Sequence, residues 1–194
     1  MKSICVFCGS NLGNSVHFSE GARALGKRLA EEGITLIYGG ANIGLMGTIA
    51  DAALKSGGRV IGVLPRFLQD KEIAHAGLSE LILCETMHER KTRMFELAQG
   101  FIAMPGGFGT LEEIIEILTW QQLGLHKYPV GFLNIDGFFH SLQNFFDQME
   151  NVSLLKPENK KMALFADTVE GLLQSMKSYR APEVSKWISK SVIT

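Results

Sequence analysis

The sequence predicts an α/β fold, a single domain built on a doubly wound parallel sheet with helices on both faces. Three observations carry that expectation. Short apolar runs alternate with amphipathic stretches of helical length, joined by short loops. Two of the turns that follow an apolar run are rich in glycine, as the turn between a strand and a helix is when backbone must pass close to a ligand. At 194 residues, with 46% of them hydrophobic, the chain is long enough to bury one core.

Each element is legible in order. Lys2 to Phe7 reads as a buried strand, followed by the polar turn Cys8-Gly9-Ser10-Asn11. A helix from about Val16 to Glu32 places Phe18, Ala22, Leu25 and Leu29 on one face, and Gly33 ends it. Thr35 to Tyr38 is the second strand. The turn Gly39 to Gly47 follows, and after it a helix to about Ser56. Arg59 to Leu64 is the third strand and Leu81 to Cys84 the fourth; residues 66–79 between them are irregular. Met87 opens a helix to about Ala98. The apolar run Phe101-Ile102-Ala103-Met104 then leads into Pro105-Gly106-Gly107-Phe108-Gly109-Thr110-Leu111-Glu112-Glu113, and a helix runs from about Thr110 to Leu123. Val130 to Leu133 is a strand, and Asp136 is placed to cap a helix from Phe138 to about Glu150. A strand near Ala163 to Phe165 and a helix from Thr168 to Tyr179 complete a domain over residues 1–180. A polar tail, 181–194, follows.

The stretch from Pro105 to Glu113 is the centre of the functional reading. Three glycines between strand and helix let the chain turn sharply and approach a ligand closely. The free N–H groups and positive dipole end of the helix suit a phosphate. Two carboxylates, Glu112 and Glu113, sit on its first turn. An ordinary turn with a capping Glu would not need three glycines in front of it. Arg90, with Lys91 and Arg93, lies in the preceding helix. That helix also starts at the carboxyl edge of the sheet, so Arg90 can point into the same crevice, whereas Lys91 and Arg93 are as readily a solvated face. The Gly39–Gly47 turn, with Gly40, Gly44 and Gly47, is not G-x-G-x-x-G, and Leu64-Pro65 stands where a dinucleotide fold would carry an acid. Neither turn ends in the G-K-[ST] of an ATP-binding loop.

The composition excludes several classes. A net charge of −1 gives no nucleic-acid surface. No apolar run reaches the ~18 residues of a membrane span, and the N-terminus enters a strand with no signal-peptide pattern. Three cysteines, Cys5, Cys8 and Cys84, are an odd count that fits reduced thiols in a cytoplasmic protein. Cys5 and Cys8 have no second pair to complete a zinc site, and His17, His75, His126 and His140 lack metal-ligand spacing. His88 reads as a helix-start residue. Neither cofactor nor metal is expected.

With these residues in hand, the chain closely resembles the Lonely-guy (LOG) family. Its members are nucleoside 5′-monophosphate phosphoribohydrolases known for releasing active cytokinins from their ribotides, and many relatives carry the label lysine decarboxylase-like. The family motif P-G-G-x-G-T-x-x-E is matched by Pro105 through Glu113, and M-H-x-R-K by Met87 through Lys91. C-G-S at Cys8–Ser10, Y-G-G-x-x-x-G-L-M-G at Tyr38–Gly47 and T-W-x-Q-L-G at Thr119–Gly124 also match. Phe108 stands where Tyr is common, which should be neutral.

The resemblance covers roughly residues 2–180. It implies a Rossmann-like fold, a homodimer with the active site at the dimer interface, and hydrolysis of the N-glycosidic bond of AMP or N6-substituted (cytokinin) ribotides to free base and ribose 5-phosphate. It implies catalysis by Arg90 and Glu113, and nucleotide binding by Glu72, Lys91, Gly107, Phe108, Gly109, Thr110, Leu111, Glu112 and Thr119. Gly106, Gly9 and Ser10, and Gly39 and Gly40, complete the candidate substrate-binding set. The alternative is a non-catalytic nucleotide carrier, which needs no acid at the ribose. Lysine decarboxylation is not expected, because no Lys lies in either glycine turn to hold pyridoxal phosphate.

Overall fold

A computed structural model describes residues 1–68 and 74–182. Seven strands form one parallel sheet: β1 (Ser3–Phe7), β2 (Thr35–Tyr38), β3 (Val60–Pro65), β4 (Glu80–Cys84), β5 (Phe101–Ala103), β6 (Val130–Leu133) and β7 (Ala163–Ala166). Their order is β4-β3-β2-β1-β5-β6-β7. The helices are α1 (Val16–Glu31), α2 (Gly44–Lys55), α3 (Met87–Leu97), α4 (Phe108–Gln122), α5 (His140–Asn151), the single turn α6 (Pro157–Lys160) and α7 (Val169–Ser178).

Both faces of the sheet are buried, which is why its strands read as continuous apolar runs. In β1, Ile4 and Val6 face a core shared with α1, α2 and α7, while Cys5 and Phe7 face a core shared with α3, α4 and α5. The period of two along the strand therefore feeds both layers. After β1 the chain builds β2 to β4 outward on one side, and β5 to β7 occupy the other. The crevice outside the ends of β1 and β5 is the topological switch point, where sheets of this kind bind ligands.

Side-chain caps set several helix starts. Ser15 caps α1 by accepting from the His17 N–H. Thr86 caps α3 by accepting from the Glu89 N–H at 3.1 Å, and Glu89 accepts from the Glu85 N–H at 2.8 Å; each such cap is worth about 1 kcal/mol.

Three boundaries differ from the sequence reading. α4 begins at Phe108 rather than Thr110, because Gly107 already holds the extended cap conformation and its carbonyl takes the Leu111 N–H. α2 begins at Gly44, inside the second glycine turn rather than beyond it. Asp136 does not cap α5. It sits in a 3-10 turn (Ile135–Gly137) with φ of +53°, and its carboxylate turns instead to Ser15 and His17 of α1. α6 was not anticipated; Lys160 at its end pairs with Asp147 at 2.6 Å and with Glu150 of α5.

Candidate active site

Two cationic residues on the first turn of α3 meet three carboxylates on the first turns of α4. The Arg90 guanidinium donates to Glu113 Oε1 at 3.1 Å and to the Val63 carbonyl of β3 at 3.2 Å. Both side chains are nearly buried, 10% and 13% exposed. Gly39 makes this possible: a Cβ there would stand 2.3 Å from an Arg90 Nη, so the guanidinium occupies the space a side chain would take. Next to Arg90 on α3, the Lys91 ammonium reaches Glu112 at 2.6 Å and Glu116 at 3.1 Å on α4, nearer solvent.

The two acids of the central stretch therefore have different surroundings. Burial pushes the Glu113 carboxyl above the ordinary range, and the Arg90 charge partly offsets this. A carboxylate held nearer neutrality and beside a fixed cation is suited to accept a proton from water. Glu113 also raises the pKa of Cys5 and of Cys8 at the end of β1, adding to the larger effect of their burial. The thiols are free and buried, so nucleophilic or redox use has no support.

On the other side of the glycine loop, a cavity of about 260 Å³ opens at the switch point. Its floor is Gly9 to Gly13 and Pro105 to Gly107, and its apolar wall is Leu12, Phe18, Leu45 and Phe138. The Gly9 N–H donates to the Pro105 carbonyl at 3.0 Å, tying the loops together. Gly106 is packed so tightly that a Cβ would meet Thr110 Oγ1 at 2.1 Å. Gly107 and Gly109 have nothing within 4 Å of a built Cβ, so no packing inside the protein requires them to be glycine. Gly107 gives α4 no side-chain cap, which leaves first-turn N–H groups open for an anion. Among the described residues, no three His, Cys, Asp or Glu side chains converge as a metal site would require.

Residues 46–176 match a family profile described as possible lysine decarboxylase. A probable cytokinin riboside 5′-monophosphate phosphoribohydrolase of Oryza sativa subsp. japonica is 44% identical over 91% of this chain and 79% of its own length. A cytokinin riboside 5′-monophosphate phosphoribohydrolase of Arabidopsis thaliana is 41% identical over 98% of this chain and 89% of its own.

The chain belongs to the LOG family. Among solved structures, the molybdenum cofactor carrier protein of Chlamydomonas reinhardtii aligns with a TM-score of 0.70 at 22% identity, over 90% of this chain and 95% of that one. The molybdenum cofactor binding protein of Rippkaea orientalis gives 0.68 at 24%, over 92% and 97%. These likenesses establish the Rossmann-like fold.

Within the LOG family chain, the residues expected to bind substrate do not all converge. Gly9, Ser10, Gly106 and Gly107 line the switch-point cavity. Phe108, Gly109, Thr110, Leu111 and Glu112 form the first turns of α4 beside it, with Thr110 buried and Phe108 93% exposed. Gly39 lies beneath Arg90, and Gly40, with φ of +83°, packs against Leu64 and Leu81. Both positions are accounted for by the protein's own packing. Thr119 is far down α4, its hydroxyl bonded to the Ile115 carbonyl, in an apolar groove of about 310 Å³ between α4 and α5. Glu72 lies outside the described residues.

Lys91 bears on the profile's description. Burial lowers its pKa, but hydrogen bonds to Glu112 and Glu116 outweigh this and hold the ammonium above the ordinary lysine value. A Schiff-base lysine must become neutral to react, so this environment opposes that role. The sequence reading missed Glu116, although its place four residues after Glu112 puts both on one helix face. It also missed the Val63 carbonyl that fixes Arg90, for which no sequence signal exists.

Proposed function

We propose that this chain is a nucleoside 5′-monophosphate phosphoribohydrolase, cleaving the N-glycosidic bond of AMP or an N6-substituted (cytokinin) ribotide with release of the free base. The observation that carries the reading is the buried Arg90–Glu113 pair, one helical turn behind the uncapped N-terminus of α4 and its open glycine cavity. The named LOG relatives support the same reaction.

The 5′-phosphate sits in the cradle of Gly9, Ser10, Gly106 and Gly107, on the N–H groups of α4. This fixes the ribose so that C1′ meets Glu113. As the C1′–N bond breaks, its electron pair leaves with the base and positive charge builds on C1′ and the ring oxygen. The Glu113 carboxylate stabilises that charge and takes a proton from the attacking water, whose oxygen bonds C1′; that proton passes on to the departing nitrogen, which restores the carboxylate and leaves free base and ribose 5-phosphate. Arg90 orients Glu113 and favours its ionised form against the effect of burial. Lys91 and Glu112 hold α3 against α4 beside it.

The active unit is a homodimer, packed through α4 and α5. Ile115, Leu118, Leu142, Phe145, Phe146 and Met149 line an open apolar groove there, with Phe145 51% exposed. Phe108 and Thr119 are eleven residues apart on one straight helix, about 16 Å, so a nucleotide held by both takes the partner's Thr119. No helix among the described residues is long and apolar enough to cross a membrane, and the three free thiols fit a cytoplasmic location.

The test is base release from a panel of nucleoside monophosphates, with adenosine beside AMP. The phosphate is remote from the breaking bond, and its binding energy is spent on placing C1′. Charge-assisted hydrogen bonds contribute about 1.5–3 kcal/mol each, so losing two lowers kcat/KM for adenosine by roughly 10²- to 10⁴-fold. No base from any monophosphate would leave a nucleotide carrier; equal rates for AMP and adenosine would remove the phosphate from the cradle.

A further inference from the structure

The loop between β1 and α1 forms one wall of the cavity, and its two ends are held very differently. At its start, Gly9 is fixed through backbone bonds to Pro105 and from Leu45. From Ser10 to Asn14 the loop makes no hydrogen bond to another described residue. At its far end, Asp136 gathers it in. One carboxylate oxygen accepts from Ser15 Oγ at 2.7 Å, and His17 Nδ1 approaches the carboxylate at 2.9 Å. Next to this clasp, Phe18 of α1 stacks edge-on against Phe138 at 5.8 Å, and both rings line the cavity.

The anchor is rigid. Asn134, 3% exposed, donates to Asp167 at 2.8 Å, accepts from the Phe139 N–H at 2.7 Å and donates its own N–H to the Ala166 carbonyl. This holds the turn after β6 to the turn after β7. Asp136 itself sits at φ of +53°, a left-handed conformation that side chains other than Asn, Asp and Gly seldom adopt. The backbone spends that strain in aiming one carboxylate at two donors on α1.

We propose that Asp136 is a positioning residue: from the rigid turn after β6 it clasps Ser15 and His17 and so holds the β1–α1 loop closed as one wall of the substrate cavity. The clasp rests on the hydrolase reading only for its effect on substrate, since the loop's order can be measured without turnover. Asp136 touches no reacting atom. Its contribution is to keep Ser10 and the apolar wall in place before substrate arrives, which favours binding rather than chemistry.

The experiment compares Asp136→Gly, which keeps the backbone conformation and removes the carboxylate, with Asp136→Asn, which tolerates the same φ and keeps an acceptor. His17→Ala opens the clasp from the other side. In Asp136→Gly, amides of residues 10–17 exchange hydrogen about fivefold faster or more, while β1 and α4 do not change. KM for AMP rises about 3- to 10-fold with kcat within about twofold, because a ground-state binding wall has been loosened. Asp136→Asn recovers most of the loss, and His17→Ala shows part of it. Unchanged exchange at 10–17 in Asp136→Gly overturns the proposal. So does a fall in kcat at constant KM, or an Asn variant as impaired as the Gly variant. If wild-type protein releases no base from AMP, the hydrolase reading fails, and hydrogen exchange alone decides the clasp.

Discussion

Arg90 and Glu113 hold each other in a balance between burial and charge. Burial raises the Glu113 pKa, and the guanidinium 3.1 Å away lowers it. Glu113→Gln keeps the shape and an acceptor for Arg90 but carries no charge toward a cationic transition state. Turnover of AMP falls about 10²-fold or more with nucleotide binding retained. A near wild-type rate would move the role to Glu112. Arg90→Gln removes the charge that lowers the Glu113 pKa. The protonated, inactive form then persists to higher pH, so the acid limb of kcat/KM against pH moves upward in whatever activity remains. An unmoved limb would free Arg90 from any part in ionising Glu113. The matched motif ends on Glu113 and implies catalysis there, but it says nothing of how the surroundings of Glu112 and Glu113 differ. Only packing separates them, because successive residues on a helix point about 100° apart and α3 covers one of those directions.

At the scale of the element, α4 is a helix whose first turn is kept open. Its glycines do unequal work. Gly106→Ala would drive a Cβ into Thr110 Oγ1 at 2.1 Å and toward the Gly9 backbone at 3.0 Å. Such overpacking costs about 1–3 kcal/mol, a fall in Tm of roughly 2–4 °C for each kcal/mol in a chain of this length. Gly109→Ala meets nothing within 4 Å and replaces glycine inside a helix. Its Tm is unchanged or higher, by the equivalent of about 0.5–1 kcal/mol, while kcat/KM for AMP falls as the methyl enters the path of the phosphate. Thermal melts beside kinetics separate the two variants. Full activity in Gly109→Ala would show that no ligand approaches there. From sequence the three glycines were equivalent, since the clash at Gly106 depends on how Thr110 folds back over the loop.

At the scale of the whole molecule, the switch-point cavity and the groove between α4 and α5 are surfaces that its own core does not use. Ile115, Leu118 and Trp120 give α4 apolar side chains on more than one face. The fold divides them: Trp120 packs edge-on against Phe95 at 4.9 Å inside the monomer, while Ile115 and Leu118 line the open groove. Light scattering at micromolar concentration is expected to give the dimer mass, and Ile115→Glu, placing a charge on that face, to give the monomer with lower activity. A monomer mass for the unmodified chain would refute the dimer.

What the sequence determined by itself was the layered sheet, the carboxyl edge where the candidate site lies, and the meeting there of Arg90 and Glu113. These follow from local rules. Continuous apolar runs must be covered on both faces, and residues at the starts of α3 and α4 must lie at the same edge of a parallel sheet. Tertiary structure decided what depends on contact between distant segments. It set Gly39 beneath the Arg90 guanidinium, sent Asp136 across to Ser15 and His17 instead of onto its own helix, and left Thr119 far from the glycine loop. The reason is geometric. A hydrogen-bonding group is aimed by the few degrees of backbone around it, and its partner arrives from wherever the fold brings the chain back, which no local spacing records.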